Sequence, residues 1–429
     1  MTTTYDPTHP RYFIEDDMRA ELLRVYDLCH GCRLCFNLCP SFPSLFDAID
    51  AHEGDVEALT IAEQDKVVDE CYQCKLCYVK CPYVPPHEWA LDFPRLMLRN
   101  SAIRRKEDGL RSKLTDNALG RTDLVGKLST MAAPLANAMT QTPGSLSRRL
   151  MEKVTGIAAG RMLPPYARQR FSTWFNKRAK PTLARTQASV AVFPTCLVEY
   201  QNPDIGKDLV AVYERNGVSC SLPSGVSCCG APFLHAGDFD SFINQAKKNV
   251  EILAAEVRGG RDIVVPQPTC GYVLKKDYAD YVGGPDAELI GANTYDAVEY
   301  LMKLHKGEDT ELDTTFDGTV PESVSYHVSC HLQAQNIGLK SRDLMALTGT
   351  TIKLVNKCSG IDGTWGYRAE NYELARKVAK PLGQAIEDNA SEVVVGDCHL
   401  ANGAIKQETD RQPLHPLQMI ARAYGIPEE

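Results

Sequence analysis

The sequence predicts an α + α/β chain: an N-terminal α-helical module, a helical basic connector, and two pseudo-symmetric α/β lobes. Three observations carry this reading. Two complete C-x₂-C-x₂-C-x₃-C-P runs lie among stretches of helical periodicity near the start. From residue 188, short apolar runs alternate with helical stretches, and each of these runs leads to a cysteine. The second half also repeats itself. These observations divide the chain into 15–98, 99–187, 188–315 and 316–425.

The first run is Cys29, Cys32, Cys35 and Cys39 before Pro40, and the second is Cys71, Cys74, Cys77 and Cys81 before Pro82. A [4Fe–4S] cube offers one open site on each of its irons. Three closely spaced thiolates reach three corners, and the fourth cysteine of the run ligates the other cluster. The spacing therefore predicts one cube on Cys29, Cys32, Cys35 and Cys81, and a second on Cys71, Cys74, Cys77 and Cys39. Each proline fixes φ and ends the loop. The competing zinc reading usually shows two C-x₂-C pairs, a different pattern.

Around these runs, Ile14 to Leu28 places Met18, Leu22, Val25 and Tyr26 on one helix face. Ser44 to Glu70 predicts further helices broken at Gly54, and Trp89 to Leu98 another after Pro85 and Pro86. Helices flanking both runs resemble the α-helical ferredoxin module of iron–sulfur subunits in quinone-linked dehydrogenases.

Of 429 residues, 44% are hydrophobic and 24% charged, a soluble globular composition. No apolar stretch of about 18 residues predicts a membrane-spanning helix. Met1 to Arg11 is polar, so a cleaved export signal is not expected. Sixteen cysteines then point to metal ligation in a reducing cytoplasm, with no disulfide framework. Residues 1–70 hold fifteen acidic and five basic side chains, whereas 141–190 hold ten Lys/Arg and only Glu152. The basic stretch is either a set of solvated helix faces or a surface for anionic lipid or an acidic partner. No nucleic-acid motif accompanies it, so nucleic acid is not an expected partner.

The connector carries Leu124, Leu128, Met131, Leu135 and Met139 at three- or four-residue spacing, an amphipathic face. Such a face either packs on the chain's own domains or meets a membrane or partner.

In the second half, Val190–Phe193 leads to Cys196, Ile263–Val265 to Cys270, Ser323–Val328 to Cys330, and Val393–Val395 to Cys398. These read as buried parallel strands, with helices at Asp204–Asn216, Asp240–Val257 and Asn371–Asn389 between them. Ligands of such sheets sit beyond the carboxyl ends of strands, where these cysteines fall. The repeat pairs Val190–Cys196 with Val324–Cys330 and Ile205–Leu222 with Ile337–Val355. It also pairs Cys228-Cys229-Gly230 with Cys358-Ser359-Gly360, and Pro268-Thr269-Cys270 with Gly396-Asp397-Cys398. Cys220 matches no ligand position and reads as a core residue.

Here the chain resembles the cysteine-rich CCG repeats of heterodisulfide reductase-like proteins: one Cys, then Cys-Cys-Gly, then C-x₂-C. Cys196, Cys228, Cys229 and Cys270 match in repeat one, with Val273 in the last position. Cys330, Cys358 and Cys398 match in repeat two, with Ser359 and Ala401 where thiolates would stand. The order of modules over 15–425 is similar to the C-subunit family of anaerobic glycerol-3-phosphate dehydrogenases. Gly206-Lys207-Asp208-Leu209 and Gly360-Ile361-Asp362-Gly363-Thr364-Trp365-Gly366 agree locally. The resemblance implies an iron–sulfur electron-transfer protein that passes electrons from a flavin-bearing dehydrogenase toward quinone. The expected location is cytoplasmic, peripheral on the cytoplasmic face of the inner membrane. Relatives serve glycolate, lactate and heterodisulfide systems. A heterodisulfide reductase-like catalytic subunit, or an electron donor to a rubrerythrin-type peroxide-reducing partner, is the alternative.

Repeat one is expected to hold a third iron–sulfur cluster on Cys196, Cys228, Cys229 and Cys270. In repeat two, His331 and His399 directly follow Cys330 and Cys398, and with Cys358 they make a donor set suited to zinc or iron. Against this, the histidines read equally as buried residues without a ligand role. No G-x-G-x-x-G follows a strand, so the chain is expected to bring no flavin or NAD of its own. Substrate oxidation would belong to a partner.

Overall fold

The computed structural model describes residues 5–107, 110–361 and 363–427. Asp362, part of a stretch quoted above, and residues 1–4 lie outside them.

The first module is built from α1 (Glu15–Cys32), α2 (Ser41–Ala51), α3 (Ile61–Asp69), α4 (Leu76–Lys80) and α5 (Phe93–Glu107). Glu15, Asp16 and Asp17 occupy the first turn of α1, where negative charge meets the positive end of the helix dipole. Met18, Leu22, Val25 and Tyr26 form its buried face and share a core with Leu45, Ile49, Val67, Leu96 and Met97. Helix α1 outruns its apolar periodicity, passing through Cys29 and Cys32 and ending at Arg33, whose φ is 52°. The first two cysteines thus stand on a helical turn. Helix α5 starts four residues later than the periodicity predicts, because the Asp92 carboxylate accepts the Arg95 N–H at 3.0 Å.

The connector folds into α6 (Leu110–Gly120), α7 (Thr122–Met131), α8 (Ala133–Thr140), α9 (Leu146–Thr155) and α10 (Phe171–Lys177). Pro134 sits in the first turn of α8, where a missing N–H costs nothing. Gly126 lets α7 approach lobe one closely: a Cβ there would lie 2.4 Å from the Tyr200 ring.

Lobe one is a parallel sheet in the order β2-β1-β3-β4, from β1 (Ala188–Val192), β2 (Val218–Ser221), β3 (Asp262–Val265) and β4 (Thr294–Asp296). Lobe two repeats its first three positions as β6-β5-β7, from β5 (Ser323–His327), β6 (Thr351–Val355) and β7 (Val393–Gly396). Val190 pairs with Cys220 and Asp262, and Val324 with Ile352 and Val393, so the register repeats as well. The expected strands are present. Strand β4 has no counterpart in the sequence pattern, since three residues of mixed polarity give no apolar run. Short helices α11 (Cys196–Tyr200), α13 (Ala231–His235) and α15 (Pro268–Tyr272) start at the cysteine loops. The longer α12 (Pro203–Arg215) and α14 (Phe239–Arg258) cover the sheet. Leu344, Leu417 and Ile420 of lobe two enter the core of lobe one beside Val192 and Leu209, so the lobes share apolar packing. Cys220 lies in that core.

Arg99 of α5 is fully buried and ties the N-terminal segment to the module. Its Nε donates to the Tyr12 carbonyl at 2.7 Å, and its Nη2 to the Arg11 carbonyl and to Asp17, each at 2.8 Å. The Arg99 hydrogen bond holds the Asp17 carboxyl below its ordinary value. Arg99→Met should cost about 3 kcal/mol, because it strands two carbonyls and a carboxylate. The Asp17 contribution is complete above the unfolded carboxyl pKa of about 3.9 and is lost as pH falls through the lower folded value. Urea unfolding of the parent, Arg99→Met and Asp17→Asn chains across acidic pH checks both statements.

Candidate iron–sulfur centres

In the first module, left-handed residues turn the chain between thiols: Arg33 in one run, Gln73 and Lys75 in the other. Cys29 is surrounded by Cys35, Cys81 and Cys32, and burial followed by these neighbours pushes its thiol up. Burial, then Cys81 and Cys32, raises Cys35 to about 11. The second group is Cys39, Cys71, Cys74 and Cys77, which line one narrow enclosed cavity with Phe42 and Phe93. Burial, then Cys74, Cys71 and Cys39, drives the Cys77 thiol well up. Each group thus takes three cysteines of one run and the last of the other. Buried thiols crowded by thiols resist deprotonation unless cations join them, which is the condition a cube of irons meets. The donor set therefore fits. Lys75 is buried in the second loop and donates to Gln73 Oε1 at 2.8 Å.

In lobe one, Cys196, Cys228, Cys229 and Cys270 line a common cavity of about 340 Å³. Thr195 precedes Cys196 with φ 52° and caps α11 through its hydroxyl, accepting the Val198 N–H at 3.3 Å. The Cys-Cys-Gly loop is held by its backbone. Cys228 N–H donates to Asp123 at 2.8 Å, and the Cys228 carbonyl accepts from Gln245 at 2.6 Å and Asn249 at 3.1 Å. Tyr278 Oη donates to the Cys229 carbonyl at 3.1 Å. Gly230 takes φ 92°, and a Cβ there would sit 2.7 Å from Phe242, which explains the glycine after the pair.

In lobe two, Cys330, Cys358, Cys398 and His331 line a second cavity of about 320 Å³, together with Ser359 and Ala401. His331 Nδ1 lies 3.0 Å from the Thr269 hydroxyl and Nε2 lies 3.1 Å from the Gln73 carbonyl. Burial pushes it down to about 3, so it is neutral. His399 is outside the cavity lining; burial lowers it to about 4, and its Nε2 is buried without a hydrogen-bonding partner. Among the described residues, no three His, Cys, Asp or Glu side chains are drawn together tightly enough to hold a single metal ion.

Two side chains between the centres belong to no sequence motif. Tyr72, next to Cys71, places its Oη 3.1 Å from Cys358 Sγ and its ring 5.0 Å from that of Trp365. Gln267, just before Pro268, donates to Cys398 Sγ at 3.2 Å and accepts the His399 N–H at 3.2 Å. Cys74 and Tyr72 of the second run also line the lobe-two cavity, while Thr269, Gly363 and Leu400 line both lobe cavities. The second run, lobe two and lobe one therefore follow one another through shared walls. No sequence signal marks Tyr72, because its partners Cys358 and Trp365 lie almost 300 residues away.

Comparison with known proteins agrees with this architecture. The Cysteine-rich domain family matches residues 190–275 and 324–405, and the Citrate utilization protein B Fer4-like domain matches 22–108. The C-subunit of anaerobic glycerol-3-phosphate dehydrogenase of Escherichia coli (strain K12) is 31% identical over 324 residues, covering 75% of this chain and 80% of the relative. The chain belongs to that C-subunit family. Lactate utilization protein A of Oceanobacillus iheyensis is 26% identical over 48% of this chain and 84% of its own length. The B-subunit of fumarate reductase (CoM/CoB) of Methanothermobacter marburgensis is 26% identical over 54% of this chain and 44% of the relative. As a member of the C-subunit family with a Fer4-like module and two cysteine-rich repeats, the chain is an iron–sulfur protein of an oxidoreductase class.

Asn249 is fully buried and holds the Cys-Cys-Gly loop from below. Its Oδ1 accepts the Ser227 N–H at 2.9 Å, and its Nδ2 also lies 2.9 Å from Tyr278 Oη. Asn249→Ala should lower stability by about 2 kcal/mol, since it leaves an N–H and a carbonyl unsatisfied. Denaturant unfolding of the full chain checks this, with Asn249→Asp as a variant that keeps the acceptor.

Proposed function

We propose that this chain is the iron–sulfur electron-transfer subunit of a flavin-linked dehydrogenase complex, passing electrons from a glycerol-3-phosphate dehydrogenase-like partner toward quinone. The observation that carries the reading is the succession of cysteine groups from the second run through lobe two to lobe one. Tyr72 joins the second run to lobe two, and Thr269 stands between the lobe-two and lobe-one cavities. A chain built for a single catalytic site would not require such a row.

In this reading Cys29, Cys32, Cys35 and Cys81 hold one [4Fe–4S] cube, and Cys71, Cys74, Cys77 and Cys39 the other. Cys196, Cys228, Cys229 and Cys270 hold a third iron–sulfur cluster, and lobe two holds either nothing or one metal ion on Cys330, Cys358 and Cys398. When bound, such clusters take up and release single electrons. The residues set where this happens and how readily. They exclude water by burial, fix sulfur positions through backbone hydrogen bonds, and aim N–H and O–H groups at sulfur. Gly360 N–H reaches Cys358 Sγ at 3.4 Å, and Gln73 Nε2 reaches Cys71 Sγ at 3.5 Å. The chain works at the membrane periphery; among the described residues no helix is long and apolar enough to cross a bilayer.

Anaerobically prepared full-length protein should contain iron and sulfide for two cubes and a third cluster. Cys74→Ser should remove one cube's complement and weaken the first module, because ligation is coupled to folding. Reduction of the clusters by a flavin dehydrogenase and its substrate should bleach their visible absorbance. Zinc alone in reconstituted protein would sink the reading. Tyr72→Phe should leave the iron content unchanged and slow reoxidation of the second cube by lobe one, read by rapid-mixing absorbance.

A further inference from the structure

One side chain of lobe two reaches both neighbouring modules at once. His331 stands in the short helix Cys330–Ala334, which packs between α4 of the first module and α15 of lobe one. Its Nε2 lies 3.1 Å from the Gln73 carbonyl, and its Nδ1 lies 3.0 Å from the Thr269 hydroxyl. A carbonyl only accepts, so Nε2 carries the proton and donates to Gln73. Nδ1 of the neutral, buried ring is left to accept the Thr269 O–H. Tyr272 and His235 flank the ring, with centroids 5.7 Å and 6.2 Å from its own. Gln335, just past the end of the same helix, donates to the Pro268 carbonyl at 3.0 Å and fixes that helix against α15. In repeat one the residue after the first cysteine is Leu197, so the fold of a lobe does not call for an imidazole at this place.

Both ends of this bridge run directly into cysteines. The Gln73 carbonyl belongs to the peptide unit that supplies the Cys74 nitrogen, and Thr269 is bonded to Cys270. A path of covalent bonds and two hydrogen bonds therefore joins Cys74 to Cys270 without a step through space. An electron crosses covalent and hydrogen bonds more readily than an open gap of the same length. The other way through lobe two is longer. It enters from Tyr72 at Cys358 Sγ and leaves from Cys398 Sγ to Gln267, so it adds the crossing between two thiols. Gln267 also stands three residues before Cys270, whereas Thr269 is its immediate neighbour.

We propose that His331 is the electron bridge between the second run and lobe one, carrying electrons through its hydrogen bonds to Gln73 and Thr269, with no metal in lobe two required. The proposal rests on the electron-transfer reading above and names the route within it. One electron leaves the cube on Cys71, Cys74, Cys77 and Cys39, and one enters the cluster on Cys196, Cys228, Cys229 and Cys270. The protons of the bridge stay on His331 Nε2 and Thr269 Oγ1, so nothing else is consumed. His331 is a positioning residue, since it acts through Gln73 and Thr269.

The test uses full-length, anaerobically prepared protein mixed rapidly with dithionite as the electron donor. Freeze-quenched electron paramagnetic resonance spectra follow the second cube and the lobe-one cluster separately. Redox titration gives the midpoint potential of each, and iron analysis their content. His331→Phe keeps an aromatic ring and removes both hydrogen bonds, and Thr269→Val keeps the volume and removes one. Each should slow reduction of the lobe-one cluster by the second cube several-fold, and by more than Tyr72→Phe does, with potentials and iron content unchanged. Thr269→Ser keeps the hydroxyl and should transfer at the parental rate. The proposal is overturned if His331→Phe and Thr269→Val transfer as fast as the parent, or if Tyr72→Phe slows transfer more than either. It also falls if a shift in either potential accounts for the slowing, as a merely structural brace would produce. Reduction of the clusters by a flavin dehydrogenase and its substrate is read in parallel. Normal reduction with unslowed transfer in the variants defeats this inference alone. No reduction by the dehydrogenase defeats the electron-transfer reading, and a lobe one without iron defeats both.

Discussion

A thiolate is stable in a protein interior only beside positive charge, and this chain places thiols in the interior in groups. Burial drives Cys29, Cys39 and Cys77 upward, and each neighbouring thiol adds to the cost of ionising the next. Left to themselves, such groups would stay protonated and pack poorly. Iron bound as proposed would reverse the balance, because several cations would share the same small space and deprotonate every ligand. Much of the architecture answers to this constraint. Left-handed turns at Arg33, Gln73 and Lys75 curl the runs, and parallel strands end where Cys196, Cys270, Cys330 and Cys398 begin their loops. With the proposed cubes in place, folding and metal binding would be one process in the first module, whereas backbone hydrogen bonds already hold the lobe-one cysteine loop.

The duplication has kept geometry longer than chemistry. Both lobes hold the same central strand with the same neighbours on either side, and both keep a cavity at the carboxyl ends of the strands. Lobe two has exchanged two thiolate positions for Ser359 and Ala401, yet its remaining groups are fully engaged with other parts of the chain. His331 bridges Thr269 of lobe one and Gln73 of the first module, and Cys398 and Cys358 accept or share hydrogen bonds from Gln267 and Tyr72. Lobe two thus contacts both the first module and lobe one, which in the proposed reading makes it a spacer between them.

What can be read from the sequence follows from what is local. Periodicity and fixed spacing locate α1, the strands β1, β3, β5 and β7, and the internal repeat, because each is encoded within a few residues. The true end of α1 is not legible, since His30 and Gly31 are neutral to an apolar pattern while the backbone continues to bond through Cys32. Strand β4 is hidden because an edge strand of three residues is made by its partner β3. Asn249 and Tyr72 are invisible as site residues, since a mid-helix Asn and a Tyr beside a cysteine signal nothing until distant segments meet them. The basic stretch is only half legible. Arg148 donates to the Thr140 and Ala158 carbonyls, Arg161 to the Gly366 carbonyl, and Arg178 to Glu214. These arginines are internal braces, and the outward charge of the connector is correspondingly smaller than its composition.

That bracing bears on the exposed apolar face of the connector. An amphipathic helix that is free to roll hides its apolar side against the nearest core. Here rolling is blocked from both sides. Cβ atoms at Gly120 and Gly126 would each fall 2.4 Å from an aromatic ring, of Phe233 and Tyr200 respectively, so α6 and α7 are seated in lobe one by their smallest faces. Arg148 pins α9 to the end of α8 and to the loop after α9. The inward side is fixed by close backbone approach, and the side left outward carries Leu124, Leu128, Met131, Leu146 and Leu150. Burying a Leu is worth about 2 kcal/mol. This layer gives that up at several positions because close backbone approach and arginine hydrogen bonds fix its orientation. The position of that layer, directly over the Cys-Cys-Gly loop, makes whatever covers it a neighbour of the lobe-one thiols.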